Sequence, residues 1–251
     1  MQESNIIVKG LKINYKVIGE GKPMLVLHGW PSSSEKWVKL AELLERQTQI
    51  IIPDLPGFGK SQQPMESWNM DAYVEWIREF CDQVPELKGS FYLLGHSFGG
   101  ALAAKFAIKY NQRVKKLFLI SAACVREKTA GKKILRQISK AAKLFDFIPY
   151  YEKLRKGFYR VALKSDYPYQ SGIMKETYLK VISDDLSHKI NFLKVPTIII
   201  WGDKDVSTPL EQGEFVHQRI PHSTFIVLPG GRHSLQIEMP ELLAEKLSAN
   251  V

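Results

Sequence analysis

Three residues have the types and chain order that acyl transfer by a side-chain nucleophile requires: Ser97, Asp205 and His233. A serine hydroxyl is a weak nucleophile at its own pKa. It needs a base to take its proton, and the base needs an acid to hold its tautomer. Ser97 lies in Gly95-His-Ser-Phe-Gly99, directly after the apolar run Phe91–Leu94 and at the start of a helical pattern. A GxSxG match alone is weak, since a chain of this composition yields roughly 0.08 by chance. Its context strengthens it. A sharp strand-to-helix turn strains the backbone at the serine and lifts the hydroxyl above a sheet edge. Gly95 and Gly99 leave room for such a turn. The helix N-terminus then favours negative charge developing beside the serine. Without chemistry, the same residues would be an ordinary Gly-rich turn.

His233, in Gly230-Gly-Arg-His-Ser234, is the candidate base. Asp205, closing Trp201-Gly-Asp-Lys-Asp205, is the candidate acid. Asp203 is the rival acid. The spacing favours Asp205, which leaves Asp203 to cap or brace the loop. Ser121-Ala-Ala-Cys-Val125 offers no carboxylate. His96 neighbours Ser97 but points away from it in a tight elbow. His28 reads as a loop-shaping residue, and His188, His217 and His222 as structural or solvated ones. Oxyanion donors would be the backbone N–H groups of Phe98 and of Trp30, in Leu27-His-Gly-Trp-Pro31. Trp30 also reads as a pocket wall.

These residues need a frame that brings distant segments to one edge. Ile6–Val8 and Leu11–Val17 alternate and read as a hairpin. Six short apolar runs follow: Met24–Leu27, Ile50–Ile52, Phe91–Leu94, Leu117–Ile120, Thr197–Trp201 and Thr224–Leu228. Such runs are strands buried on both faces. Lys36–Arg46, Met70–Val84, Gly99–Tyr110 and Pro240–Leu247 carry helical spacing between them. The alternation predicts an α/β fold, a mostly parallel sheet with helices on both faces. Ligands then sit beyond the carboxyl ends of the strands, where Ser97, Asp205 and His233 all fall.

The alternation breaks between about Val125 and Leu193, which predicts a helical cap inserted after the sixth strand. The core would be 1–125 and 194–251, and the cap 126–193. From Arg126 to Lys194 there are 16 Lys/Arg against 7 Asp/Glu, so the whole net charge of +9 belongs to this segment. A cationic lid would attract anionic substrates. A basic amphipathic helix, Lys132–Ile148, would make weak contact with an anionic membrane. The bland alternative is a solvated lysine face. Aromatic residues of the cap, Phe145, Tyr150 and Tyr159, are candidate pocket walls together with His28. Nucleic acid is not an expected partner, because no recognition module accompanies the charge.

The chain has 251 residues, 45% apolar and 24% charged, which excludes a disordered polymer. Two cysteines, Cys81 and Cys124, are too few for a disulfide scaffold, so a reducing, cytoplasmic setting is expected. No signal peptide is expected from Met1-Gln-Glu-Ser-Asn5, and no apolar run is long enough to span a bilayer.

The chain resembles the α/β-hydrolase fold superfamily, in its capped, carboxylesterase-like serine-hydrolase form. The resemblance rests on His28-Gly-Trp-Pro31, Asp54-Leu-Pro-Gly-Phe-Gly-Lys-Ser61, Gly95-His-Ser-Phe-Gly99, Trp201-Gly-Asp-Lys-Asp205 and Gly231-Arg-His233, in family order. The cap is not covered. The resemblance implies Ser97 as nucleophile, His233 as base, Asp205 as acid, and Trp30 and Phe98 as oxyanion donors, with no cofactor and no metal. Haloalkane dehalogenases and epoxide hydrolases carry aspartate at the elbow, and Ser97 argues against both. A small-molecule ester is the expected substrate, and a monomer or homodimer the expected assembly. Lactonases and C–C bond hydrolases of the same triad, and a non-catalytic ligand-binding member of the fold, are the alternatives.

Overall fold

In the computed structural model, residues 1–126 and 172–251 are described. Each apolar run becomes a strand. The strands are β1 (Gln2–Val8), β2 (Leu11–Ile18), β3 (Lys22–Leu27), β4 (Thr48–Pro53), β5 (Phe91–His96), β6 (Val114–Ile120), β7 (Thr197–Gly202) and β8 (Thr224–Leu228). They form one eight-stranded sheet in the order β1-β2-β4-β3-β5-β6-β7-β8. β1 and β2 form the expected antiparallel hairpin, and β2 is antiparallel to β4. Every later pairing, from β3 with β4 to β7 with β8, is parallel.

Among the described residues the helices are α1 (Val38–Leu44), α2 (Met70–Gln83), α3 (Phe98–Lys109), α4 (Gly172–Ser183), α5 (Leu210–Arg219), α6 (Leu235–Glu238) and α7 (Pro240–Ser248). Strand residues point alternately to the two faces of the sheet. Leu25, Leu27, Leu93 and Leu119 pack with Tyr73, Trp76, Leu102 and Phe106 of α2 and α3. Met24, Val26, Leu94 and Ile120 pack with Leu40, Leu44, Leu243 and Leu247 of α1 and α7. Burial on both faces explains why these strands are continuous apolar runs rather than alternating ones. Helix α5 carries no strong apolar stripe, because it buries Gln212 and Gly213 beside Val216.

The order of strands reverses around β3. The chain passes from β3 outward to β4, then returns to place β5 on the other side of β3. A crevice opens at the carboxyl ends of strands at such a switch point. The loop after β3 and the turn after β5 meet there.

Residues 172–193 lie against the core. Met174, Val181, Leu186, Ile190 and Leu193 join the cluster on the α2 and α3 side of the sheet. Thr177 Oγ1 accepts the Trp68 N–H at 3.0 Å. Lys105 of α3 pairs with Asp71 at 2.9 Å and with Asp184 at 2.5 Å. Phe145, Tyr150, Tyr159 and the basic stretch Lys132–Ile148 lie outside the described residues. Among the described residues, no helix is long and apolar enough to cross a membrane.

Candidate active site

β5 ends at His96, and α3 begins at Phe98, so Ser97 alone makes the turn between them. Its backbone has φ +54° and ψ −118°, a conformation that costs an L-residue on the order of 1–3 kcal/mol. Surrounding bonds hold it there. Ser97 N donates to Ile120 O at 3.1 Å, and Ser97 O accepts from Ala101 N at 3.1 Å and Ala123 N at 2.9 Å. The glycines of the motif are required by close approach. A methyl group on Gly95 would run into the Gly99 carbonyl oxygen, and one on Gly99 into the Leu27 carbonyl oxygen. The first turn of α3 is therefore pressed onto the end of β3.

The loop after β3 reaches the same point. A methyl added at Gly29 would lie 3.3 Å from Ser97 Cβ. The Trp30 ring meets Phe98 edge-on at 5.4 Å between centroids and Phe58 at 4.6 Å. Tyr178 of α4 lies on it at 5.4 Å. Two groups fix this loop. His28, fully buried, has Nδ1 2.8 Å from Gly29 O and accepts the Leu55 N–H at Nε2 at 3.0 Å. The buried Asp54 carboxylate accepts Ser34 N–H at 2.6 Å, Lys60 N–H at 2.9 Å and the Asn14 amide at 3.1 Å. His28 was expected to shape the loop and to line the pocket. Both its ring nitrogens are taken up inside the protein, as loop shaping requires.

The loops after β7 and β8 carry the other two candidates. His233 Nδ1 donates to Asp205 Oδ2 at 2.8 Å. Asp205 Oδ1 accepts the N–H groups of Ser207 at 2.8 Å and Thr208 at 3.0 Å. The Thr208 hydroxyl donates to Asp205 Oδ2 at 2.8 Å and lies 3.2 Å from Ser121 O. Burial pushes the Asp205 carboxyl upward, but the His233 and Thr208 hydrogen bonds outweigh it and hold the group down to about 2. Asp205 thus stays a carboxylate, the form that accepts all four donors. Asp203 is engaged elsewhere: its Oδ1 accepts the Gly230 N–H at 2.7 Å, bracing the loop that carries His233.

Of the residues singled out from sequence, the structure brings Ser97, Phe98, Trp30, Asp205 and His233 to one edge of the sheet. Thr208 had not been singled out, although Asp-x-x-Thr is a pattern in which an acceptor side chain captures N–H groups two and three residues on. Asp54 stood inside a quoted motif without a role. His96 links to His233 across 137 residues, and no local pattern signals that.

Comparison with known proteins agrees with this architecture. The alpha/beta hydrolase fold family model matches residues 22–150 and 129–240. Lipase 3 of Moraxella sp. (strain TA144) is 25% identical, over 87% of this chain and 73% of its own length. Lipase 1 of Psychrobacter immobilis is 25% identical, over 98% of this chain and 83% of its own. Among solved structures, a thermophilic esterase from Thermogutta terrifontis superposes with a TM-score of 0.74 at 23% identity, over 99% of this chain and 97% of its own. With the family model spanning six of the eight strands, β3 to β8, the chain belongs to the alpha/beta hydrolase fold family and is a hydrolase of that family.

Proposed function

We propose that this protein cleaves small to medium carboxylic esters through an acyl-enzyme on Ser97. The observation that carries the reading is the conformation of Ser97 (φ +54° at the mouth of α3) on the sheet edge that also bears the His233–Asp205 pair at 2.8 Å. The named lipase and esterase relatives support an ester as substrate.

In this reading His233 Nε2 takes the Ser97 hydroxyl proton as Oγ bonds to the ester carbonyl carbon. The backbone N–H groups of Trp30 and Phe98 receive the oxyanion, with the dipole of α3 behind the second donor. Collapse breaks the bond to the alkoxy oxygen, which leaves with the proton from His233. Water, deprotonated by His233, then attacks the acyl carbon and frees Ser97. Asp205 keeps the proton of His233 on Nδ1, so that Nε2 faces the serine as a base.

Labelling with a fluorophosphonate, followed by a p-nitrophenyl ester series of increasing acyl length, tests the reading. Wild type should label at Ser97 and turn over the esters, and Ser97→Ala should fold and do neither. Ester turnover retained by Ser97→Ala, or folded wild type that does not label, would overturn it.

A further inference from the structure

His96 is a titratable side chain beside the nucleophile that the mechanism above leaves unused. Its ring is buried, 5% exposed, and packs edge-on to Trp37 at 6.1 Å. Its Nε2 lies 2.7 Å from the backbone carbonyl oxygen of His233. A carbonyl can only accept, so Nε2 carries the proton. Burial pushes this imidazole down to about 3, with the neighbouring His233 adding to the effect, so the ring is neutral at working pH. Nδ1 is then the bare nitrogen. Among the described residues it is buried without a hydrogen-bond partner. It lies against the loop after β3, where a methyl group on Gly29 would come within 2.9 Å of it.

A buried acceptor without a donor costs stability, so this ring is not placed here for the fold's benefit at Nδ1. The opposite nitrogen makes the specific bond. It joins the last residue of β5, one bond from Ser97, to the main chain of the residue offered as base. The rings of His96 and His233 are 4.8 Å apart. Asp205 fixes the His233 side chain at Nδ1, Asp203 and Glu238 hold its loop at the Gly230 and Arg232 N–H groups, and His96 is the side chain that ties the His233 main chain to the elbow.

We propose that His96 is a positioning residue that tethers the His233 main chain to the nucleophile elbow and so sets the approach of His233 to Ser97. The inference rests on the serine-hydrolase reading above. The tether acts on proton transfer and not on substrate binding. Losing it should lower kcat and the rate of fluorophosphonate labelling together and leave KM in place. Misplacing a reacting group by about 1 Å costs roughly 10–100-fold in rate.

The test compares His96→Leu, His96→Gln and His96→Asn in the full chain, with melting temperature recorded for each. The glutamine amide reaches the place of Nε2 and can donate to the His233 carbonyl. The asparagine amide is chemically the same but too short. His96→Leu and His96→Asn should lose tenfold or more in kcat and in labelling rate with KM within twofold, and His96→Gln should recover to within about threefold of wild type. If His96→Leu does not fold, the Gln and Asn pair decides the matter by the same criterion. Equal rates in all folded variants, or a loss that appears in KM, would overturn the tether alone. Failure of wild type to label would overturn the nucleophile reading and the tether with it.

Discussion

Replacing Asp205 with asparagine should cost at least roughly 30-fold and up to 10⁴-fold in kcat, and the hydrogen bonds around it set those limits. Oδ1 accepts two backbone N–H groups, from Ser207 at 2.8 Å and Thr208 at 3.0 Å. An asparagine must place its carbonyl oxygen there, which puts its amide where Oδ2 was. That amide then faces His233 Nδ1, 2.8 Å away. Two donors cannot share the contact, so the imidazole moves its proton to Nε2 and ceases to be a base toward Ser97. The Thr208 hydroxyl offers no relief, because it can accept from the new amide while donating to Ser121 O at 3.2 Å. Trapping the wrong tautomer costs about 10⁴-fold, or about 5.5 kcal/mol. The escape is to flip the amide and point it at the two N–H groups. Leaving the buried Thr208 N–H and the partly buried Ser207 N–H without acceptors costs about 2–6 kcal/mol. Whichever penalty is smaller governs the loss. Asp203→Asn is the control. Its Oδ1 accepts only the Gly230 N–H among the described residues, and an asparagine carbonyl replaces it, so activity should stay within about threefold. Initial rates with p-nitrophenyl butyrate, with melting temperatures alongside, decide the case. Asp205→Asn within tenfold of wild type, or equal losses in both variants, would refute the assignment of the acid.

The strain at Ser97 should be visible in stability. Glycine adopts φ +54° freely, so Ser97→Gly should be more stable than Ser97→Ala by about 1 kcal/mol in urea unfolding, although both are inactive. Equal midpoints would argue that the turn is unstrained. Stability should also fall as the solution is acidified. Burial pushes His28 down to about 4, and burial with the His233 charge pushes His96 down to about 3. The unfolded chain takes up protons near 6.5 that the folded one refuses, so their stabilising contribution is complete above that pH and is lost as pH falls toward 4. Each contributes a slope of about 1.4 kcal/mol per pH unit there. Unfolding midpoints between pH 7 and 4 measure it, and a slope unchanged in His28→Gln would exclude His28 as a source.

The sheet was legible because burial on both faces leaves a plain mark. Ile198–Trp201 and Phe91–Leu94 are apolar at every position, and only a strand between two helix layers asks for that. In the structure these runs are strands buried along their whole length, β5 inside the sheet and β7 next to its last strand. Helix α2 was legible from its single apolar face, with Tyr73, Ile77 and Phe80 all inward. Helix α5 was not. It buries Gln212 and Gly213 where a stripe would need large apolar residues, and Gly213 is small because Trp201 and Phe225 press on it, 2.8 and 3.1 Å from where a methyl group would be. The partner decides that helix, and the partner is remote in sequence.

The candidate site divides along the same line. Ser97, Asp205 and His233 could be picked out because the chemistry demands those residue types and the strand ends place them. What holds them could not, because main-chain atoms of distant segments do the holding. His96 binds the carbonyl of His233, and Asp54 binds the N–H groups of Ser34 and Lys60. A backbone carbonyl or N–H is offered by almost every residue, so neither partner leaves a trace in composition or spacing. The side-chain half of each bond is visible all the same. A histidine, an aspartate or a threonine that a sequence places at a strand end without a use has some main-chain group to hold there. In this chain that rule separates the two rival aspartates. Asp205 holds a side chain, His233, and fits the acid's role; Asp203 holds the loop that presents it.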